Sequence, residues 1–346
     1  MDNKRLILSV AGSGKTTYII KSLSLKKRAI IITYTKNNYE NLRLKIAEKF
    51  GKIPNNIIVL SYFEFLYSFC YRPFLHHLVK ANGIDFNNPP SYTYMLKRTD
   101  KDYYINSNNC LYHNRIAKLI QIQKVVPKIK DRLEKYFDEF YIDEIQDFGG
   151  HDFNLLIKLS KISNKIIFVG DFYQHTFDTS RDGNVNCNLY KDYNKYIDRF
   201  RKVGFYIDKK TLSKSWRCNK SICNFIENKI GILIKSHRKN MTNIKLIEEK
   251  NYIDRLMNDN SLVKLFYQNS RKYDCYSTNW GASKGQDCYK DVCVVLNKKT
   301  YKQYKNENLR EMNTQTRNKF YVACTRARNK LVFLPEKLIK RYKFKR

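Results

Sequence analysis

Ser9-Val10-Ala11-Gly12-Ser13-Gly14-Lys15-Thr16 follows the apolar run Leu6-Ile7-Leu8 and opens a helix-like stretch from Thr17 to Leu23. Strand, glycine-rich turn and helix in that order make a P-loop. Gly12 and Gly14 let the backbone curl, so that N–H groups from Ala11 through Ser13 to Thr17 point at the phosphates of ATP or GTP. Lys15 then reaches the β- and γ-phosphates, and the Thr16 hydroxyl holds Mg²⁺. Ser9 stands where a Walker A string has Gly.

Two acidic turns and two arginines extend this chemistry. Tyr141-Ile142-Asp143-Glu144 ends a short apolar run. In an open parallel sheet ligands bind beyond the carboxyl ends of the strands, which predicts that these acids share the P-loop crevice. Asp143 suits Mg²⁺, and Glu144 suits positioning and deprotonating a water for attack on the γ-phosphate. Phe168 to Gln174 ends the next run in the same way, with Gln174 suited to sense the γ-phosphate and its water. Trp216-Arg217 and Thr325-Arg326-Ala327-Arg328 bring arginines from the second half of the chain. An arginine that reaches the γ-phosphate from a neighbouring lobe can be worth about 10³ in rate.

The elements that must hold these residues read as alternating strands and helices. Arg28–Thr35 is a continuous apolar run of the kind buried on both sides of a parallel sheet. A charged helix over 38–50 follows, then strands at 57–61, 139–142 and 165–169. Residues from about 66 to 135 are irregular in period, aromatic and basic, and read as an insertion. Beyond the Asp-, Asn- and Gly-rich loop 179–194, the pattern predicts a helix over 221–234, strands at 274–278 and 292–296, a helix over 316–326 and a strand at 331–334. This is an α/β chain with two doubly wound parallel sheets in tandem.

Length and composition agree. The 346 residues suffice for about two domains. Lys and Arg number 66 against 32 Asp and Glu, a net charge of +34 that attracts polyanions, nucleic acid first among them. An AT-rich genome explains Lys over Arg but not the shortage of acids. No run approaches the length of a membrane span and no signal-like start is present, so a soluble intracellular protein without a membrane partner is expected. The nine cysteines are scattered without a CxxC pair, which favours reduced thiols over zinc or disulfides.

Taken in order, these strings resemble the motifs of superfamily 1 helicases of the UvrD/Rep type across nearly the whole chain. The P-loop is similar to motif I, Thr33-Tyr34-Thr35-Lys36-Asn37 to the TFTNK string of motif Ia, and Leu60 to Phe65 to the next DNA-contact segment. Asp143 to Phe148 matches the DExQDF form of motif II, and Val169 to Gln174 the VGDxxQ form of motif III. Trp216-Arg217 falls where motif IV has Tyr-Arg, Ser283-Lys284-Gly285 resembles the core of motif V, and Tyr321 to Arg328 is close to the YVAxTRAR motif VI. The resemblance implies two RecA-like P-loop domains, 1–195 and 196–346, with reduced insertions at about 66–135 and 224–275 and ATP in the cleft between them. It also implies that Trp216 stacks on adenine, that Arg217 and Arg326 stabilise γ-phosphate charge, and that Asp287 belongs to the nucleotide site. Thr33, Tyr34, Thr35, Tyr62, Phe63 and Ser283 are the nucleic-acid contacts that it carries over.

The departures bear on function. Eight residues precede Ser9 and hold no glutamine motif, which predicts looser adenine specificity. Phe177, Thr179 and Arg181 fill the region after motif III imperfectly, and motif V has Gly285-Gln286-Asp287 where the family has Glu two residues after SKG. The leading expectation is an ATP-dependent, Mg²⁺-using helicase or translocase on single-stranded DNA or tailed duplex, moving 3′→5′, in repair or replication. The alternatives are an ATPase subunit serving a nuclease or replication complex without unwinding by itself, and an RNA helicase. The basic, aromatic tail Lys340 to Arg346 is either a nucleic-acid contact or a solvated helix end.

Overall fold

The computed structural model describes residues 3–176 and 181–344. Among these the chain is α/β, and it divides into two compact units. One holds Thr16–Gly170 with the described parts of Met1–Ile7 and Phe177–Asp208; the other holds Leu8–Lys15, Asp171–Thr176 and the described part of Lys209–Arg346.

The first sheet contains β1 (Lys4–Leu8), β2 (Ala29–Thr33), β3 (Ile57–Ser61), β4 (Glu139–Asp143), β5 (Lys165–Gly170) and β6 (Tyr206–Asp208), in the order β3-β2-β4-β5-β1-β6. β2 is buried at every residue, as a strand covered on both faces must be. The parallel registers Thr33↔Ser61, Ile32↔Ile142 and Asp143↔Val169 bring the carboxyl ends of β2, β3, β4 and β5 to one edge. Two helices illustrate how the chain enters and leaves that edge. α1 (Lys15–Ser22) grows out of the P-loop, while α2 (Lys36–Phe50) starts at Thr35, whose side chain accepts the Asn38 N–H, and stops at Gly51 in the left-handed region.

Residues 66–135 are more regular than their period predicts. A π-helical run Phe65–Tyr71, a parallel strand pair (Gly83–Asp85 with Cys110–Tyr112), α3 (Ile116–Ile122) and α4 (Val126–Tyr136) occupy them. α3 buries Ile116, Ala117, Lys118, Leu119 and Ile120 in succession, so it has no polar face to reveal a helical period.

In the second unit, β7 (Lys245–Leu246), β8 (Val263–Phe266), β9 (Ser277–Asn279), β10 (Val292–Leu296) and β11 (Leu331–Pro335) form an all-parallel sheet in the order β7-β11-β10-β8-β9. Alternation of side chains divides its core in two. Val292, Val294 and Leu296 pack with Trp280, Phe320 and Phe333 on one face, whereas Cys293 and Val295 pack with Ile253, Met257 and Ile339 on the other. The helices that matter below are α5 (Lys220–Phe225), α6 (Lys250–Asn258), α7 (Lys298–Lys305) and α8 (Thr314–Cys324).

Two expectations are corrected here. The helix over 221–234 ends at Gly231, in the left-handed region after a π-helical turn, and the buried Ile232 and Ile234 lie beyond it. β8 is an interior strand drawn from residues expected to be an insertion. Its pattern is broken by Lys264, a buried residue whose ammonium escapes the core by donating to the Asp259 carbonyl at 2.6 Å. No helix among the described residues is long and apolar enough to cross a membrane.

Candidate nucleotide and nucleic-acid site

The P-loop curls as its glycines require: Gly12 and Gly14 have φ of +68° and +89°, and the Ser13 N–H donates to the Val10 carbonyl at 3.2 Å. Its partners in the second unit come from three motifs. The Trp216 N–H donates to the Gly12 carbonyl at 2.8 Å, and the Val10 N–H to the Leu212 carbonyl at 3.0 Å. A Cβ on Gly12 would lie 2.5 Å from Arg217 Cβ and 2.9 Å from Ser215 Oγ, so only glycine lets the two segments meet. The Ala11 N–H donates at 2.9 Å to the Tyr321 hydroxyl, which itself donates to Asp171 Oδ2 at 3.0 Å. Burial pushes the Tyr321 hydroxyl well above its ordinary range, which keeps it a donor.

Asp171 is buried and also accepts from Gln174 Nε2 at 2.9 Å and the Tyr173 N–H at 3.1 Å. Burial raises its pKa, against the pull of Lys15 and of these hydrogen bonds. Gln174, expected to sense a γ-phosphate, therefore spends its amide on Asp171. Ser9 Oγ and Ser13 Oγ are buried without a hydrogen-bond partner, which leaves polar capacity within the loop.

Arg217 and Arg326 meet on one carboxylate. Asp287 pairs with Arg217 Nη2 and accepts from Arg326 Nη1 at 3.4 Å; its side chain is 58% exposed, against 10% and 2% for the two arginines. Burial works to raise the Asp287 pKa, but Arg217 and Arg326 outweigh it and hold the carboxyl below its ordinary value. Arg217 also donates to the Thr325 carbonyl at 3.2 Å, and Arg326 to the Val322 and Gln286 carbonyls at 3.3 Å each. Trp216 is 64% exposed, with one ring face stacked on His237 at 3.7 Å between centroids and the planes 12° apart.

In the first unit Asp143 is buried at the end of β4, and its Oδ1 accepts the Glu144 N–H at 3.0 Å. Glu144 sits in the left-handed region at φ +55°, an uncommon conformation for a glutamate, and its carboxylate is held by Gln146 Nε2. Gly170 makes room for that turn: a Cβ there would lie 2.7 Å from Ile145 Cγ2 and still closer to Gln146 Oε1.

The aromatic contacts are rearranged relative to expectation. Tyr62 is fully buried beneath Tyr34 and Phe148, its ring 4.8 Å from Phe148, and is a core residue. Tyr34 and Phe63, 5.6 Å apart, continue instead into Phe86, 5.1 Å from Phe63 and 62% exposed. Thr33 is buried and Thr35 caps α2. Ser283 is buried and its hydroxyl donates to the Trp280 carbonyl at 2.7 Å. Phe177 and Thr179 lie outside the described residues.

Sequence reading missed four participants. Tyr321 lies inside a quoted motif but carries no charge to draw notice. Phe86 and His237 are single aromatics far from any motif. Arg238 donates to the Arg217 carbonyl at 2.9 Å, the Arg328 carbonyl at 2.6 Å and Asn329 Oδ1 at 2.6 Å, clamping motif IV to motif VI. Nothing distinguishes it among 66 basic residues.

Among solved structures, the chain is similar to PRRSV helicase (15% identity, 99% of this chain and 55% of that chain, TM-score 0.48). It is also similar to arterivirus nonstructural protein 10, a helicase, in complex with DNA (12% identity, 97% of this chain and 63% of that chain, TM-score 0.51). The chain thus spans between 55% and 63% of the length of these helicases. No curated protein sequence matches it. The viral superfamily 1 RNA helicase core domain matches over residues 93–335, a span that begins after the P-loop and is not specific to the UvrD/Rep type. With more than half of its residues inside that match, the chain belongs to the viral superfamily 1 RNA helicase core family.

Proposed function

We propose that the chain is an ATP-dependent helicase or translocase on single-stranded nucleic acid. The observation that carries this reading is the convergence of two nearly buried guanidinium groups, Arg217 and Arg326, on the exposed Asp287 carboxylate, in the unit that also holds the P-loop. An anion that displaced Asp287 would find both arginines already aimed.

In this reading Lys15 and the N–H groups of Ala11 to Thr17 bind the triphosphate, and Trp216 stacks on the base. Thr16 and Asp143 supply hard oxygen donors fitted to Mg²⁺, which when bound neutralises phosphate charge. Glu144 positions and deprotonates the attacking water, with its conformation fixed by Gln146. Arg217 and Arg326 offset the charge that develops on the γ-phosphoryl group. Tyr321 transmits the state of the P-loop to Asp171 and Gln174.

Tyr34, Phe63 and Phe86 stack on bases of a single strand. The membership in an RNA helicase core family favours RNA, and the arterivirus neighbour solved with DNA favours tolerance of either sugar. The DEIQD and YVACTRAR strings are what support the 3′→5′ sense and a DNA repair or replication setting.

Steady-state ATP hydrolysis with and without single-stranded RNA and DNA tests the reading. Stimulation by either strand supports a coupled motor, and oligonucleotides tailed at the 3′ or 5′ end then read its direction. Turnover indifferent to both strands would leave the ATPase-subunit alternative standing in its place.

A further inference from the structure

We infer that the second unit carries a nucleic-acid backbone groove of its own, across the carboxyl ends of β8, β10 and β11, away from any helicase motif. The inference rests on the proposed function, because it takes the same class of ligand, a single strand of nucleic acid.

Two cavities make the groove. One, of about 370 Å³, is lined by Lys298, Lys337, Lys340 and Lys343 with Tyr273 and Tyr301; among the described residues Glu336 is the only acid in its wall. The second, of about 440 Å³, shares Lys298 and Glu336 with it and continues to Lys299, Asn269 and Tyr267. The groove therefore crosses the neighbouring strand ends β11, β10 and β8 in that order. Two steps of ~4.8 Å span roughly 10 Å, the scale of a short stretch of backbone rather than of one phosphate.

The lysines are built in, not swept past. Lys337 and Lys340 lie on either side of a kink at Ile339 in the 3₁₀ segment Glu336–Tyr342, and both line the same cavity. Buried Ile339 anchors the run. Lys343 is fixed by an antiparallel bridge to Tyr273, flanked by Phe344 N–H to Lys272 carbonyl at 3.0 Å and Asp274 N–H to Tyr342 carbonyl at 2.9 Å. The tail to Phe344 is thus folded against the sheet; Lys345 and Arg346 lie outside the described residues.

The chemistry suits phosphate. Lysine ammonium groups bind phosphate as point charges, and two stand over aromatic rings: Lys337 Nζ is 4.7 Å from the Tyr301 centroid and Lys343 Nζ 5.4 Å from that of Tyr273. Glu336 is engaged by the Tyr273 hydroxyl at 2.9 Å. At the rim Glu248 is taken up by Tyr301 at 2.5 Å and Lys305 at 2.6 Å. Five lysines against Glu336 leave a groove with an excess of positive charge and interleaved aromatics, which suits a single strand.

The test compares wild type with K298Q/K337Q/K340Q/K343Q and with a variant carrying as many changes on exposed lysines of the first unit, K26Q/K52Q/K128Q/K161Q. Affinity for long oligouridylate and oligothymidylate is read between about 50 and 200 mM salt. The groove variant is expected to bind about tenfold more weakly and to lose about 2 from the slope of log affinity against log salt, more than the control variant loses. Equal behaviour of the two variants would overturn the groove while leaving the proposed function intact. Failure of the wild type to bind either strand would overturn both. Loss of binding to polyglutamate with oligonucleotide binding unchanged would replace the strand with an acidic protein partner.

Discussion

The Tyr321 hydroxyl donates to Asp171 Oδ2 at 3.0 Å while accepting the Ala11 N–H of the P-loop at 2.9 Å. One uncharged side chain thus joins motifs I, III and VI, and it rides on the helix that ends just before Arg326. A change in the P-loop backbone has a direct route to both the Asp171–Gln174 pair and the arginine.

Tyr321→Phe leaves the ring in place but strands the buried Ala11 N–H and removes one of the hydrogen bonds to Asp171, which keeps those from Gln174 and the Tyr173 N–H. The expected result is a loss of about 1–3 kcal/mol in stability, read by denaturant unfolding, chiefly from the buried N–H left without its acceptor. Nucleic-acid stimulation of ATP turnover should fall by more than basal turnover does. Equal losses in the two would show that Tyr321 supports the fold without linking the motifs.

Gly12→Ala tests the fit of the P-loop to motif IV. The added Cβ meets Arg217 Cβ at 2.5 Å, and φ of +68° is strained for alanine. The variant is expected to lose nucleotide affinity by about tenfold or more, equivalent to ~1.4 kcal/mol, in a titration with a fluorescent ATP analogue. Unchanged affinity would mean that this approach is not needed for binding.

Glu144→Gln keeps the shape of the motif II turn and removes the base. Hydrolysis should drop by about 10²–10⁴-fold with nucleotide binding retained. A drop below tenfold in single-turnover hydrolysis would assign the water to another residue. Gly170→Ala should reproduce part of this loss, because its Cβ presses on Ile145 and on the amide that holds Glu144.

How much of this was legible follows from where the signal resides. β2, β4, β5, β10 and β11 each carry a short apolar run buried on both faces, and the sequence marks them directly. β8 was hidden because Lys264 interrupts its run, and its ammonium leaves the core only through folded geometry. α3 was hidden because burial on nearly all sides erases a helical period. At the site, Lys15, Asp143, Glu144, Arg217 and Arg326 are distinguishable by type and spacing. Tyr62 and Ser283 share the spacing but face inward, and a motif string does not encode which way a side chain turns. Phe86 and Arg238 reach the site from loops, where no periodicity points to them.

Phe86 gives a direct reading of the aromatic track. Its ring is 62% exposed and stands edge to face with Phe63 at 5.1 Å, so a base that stacks on Phe86 loses that face in Phe86→Ala. The expected cost is about 1–3 kcal/mol in single-strand affinity, with the salt slope unchanged because no phosphate contact is lost. Tyr62→Phe should leave affinity near wild type, its ring being buried.

The last prediction concerns acid. Asp182 is buried with Arg115 and Lys118: Arg115 Nε lies 3.2 Å from Oδ1, Lys118 Nζ 2.6 Å from Oδ2, and the Tyr103 hydroxyl donates to Oδ2 at 2.8 Å. Burial works to raise the Asp182 pKa, but the hydrogen bonds from Lys118 and Tyr103 and the two positive charges prevail, and the carboxyl sits below its ordinary 3.8. A carboxylate with a depressed folded value stabilises the native state above 3.8, and that contribution is lost as pH falls through the lower, folded value. Wild type should therefore lose stability as the solution is acidified below about pH 4. Asp182→Asn should be less stable at neutral pH by about 3–5 kcal/mol, because two buried cations are left without their counter-charge. Its stability should also vary less with pH across the acid limb, and denaturant midpoints measured from neutral pH downwards read both effects. An acid limb as steep in Asp182→Asn as in wild type would assign the acid sensitivity to other carboxylates.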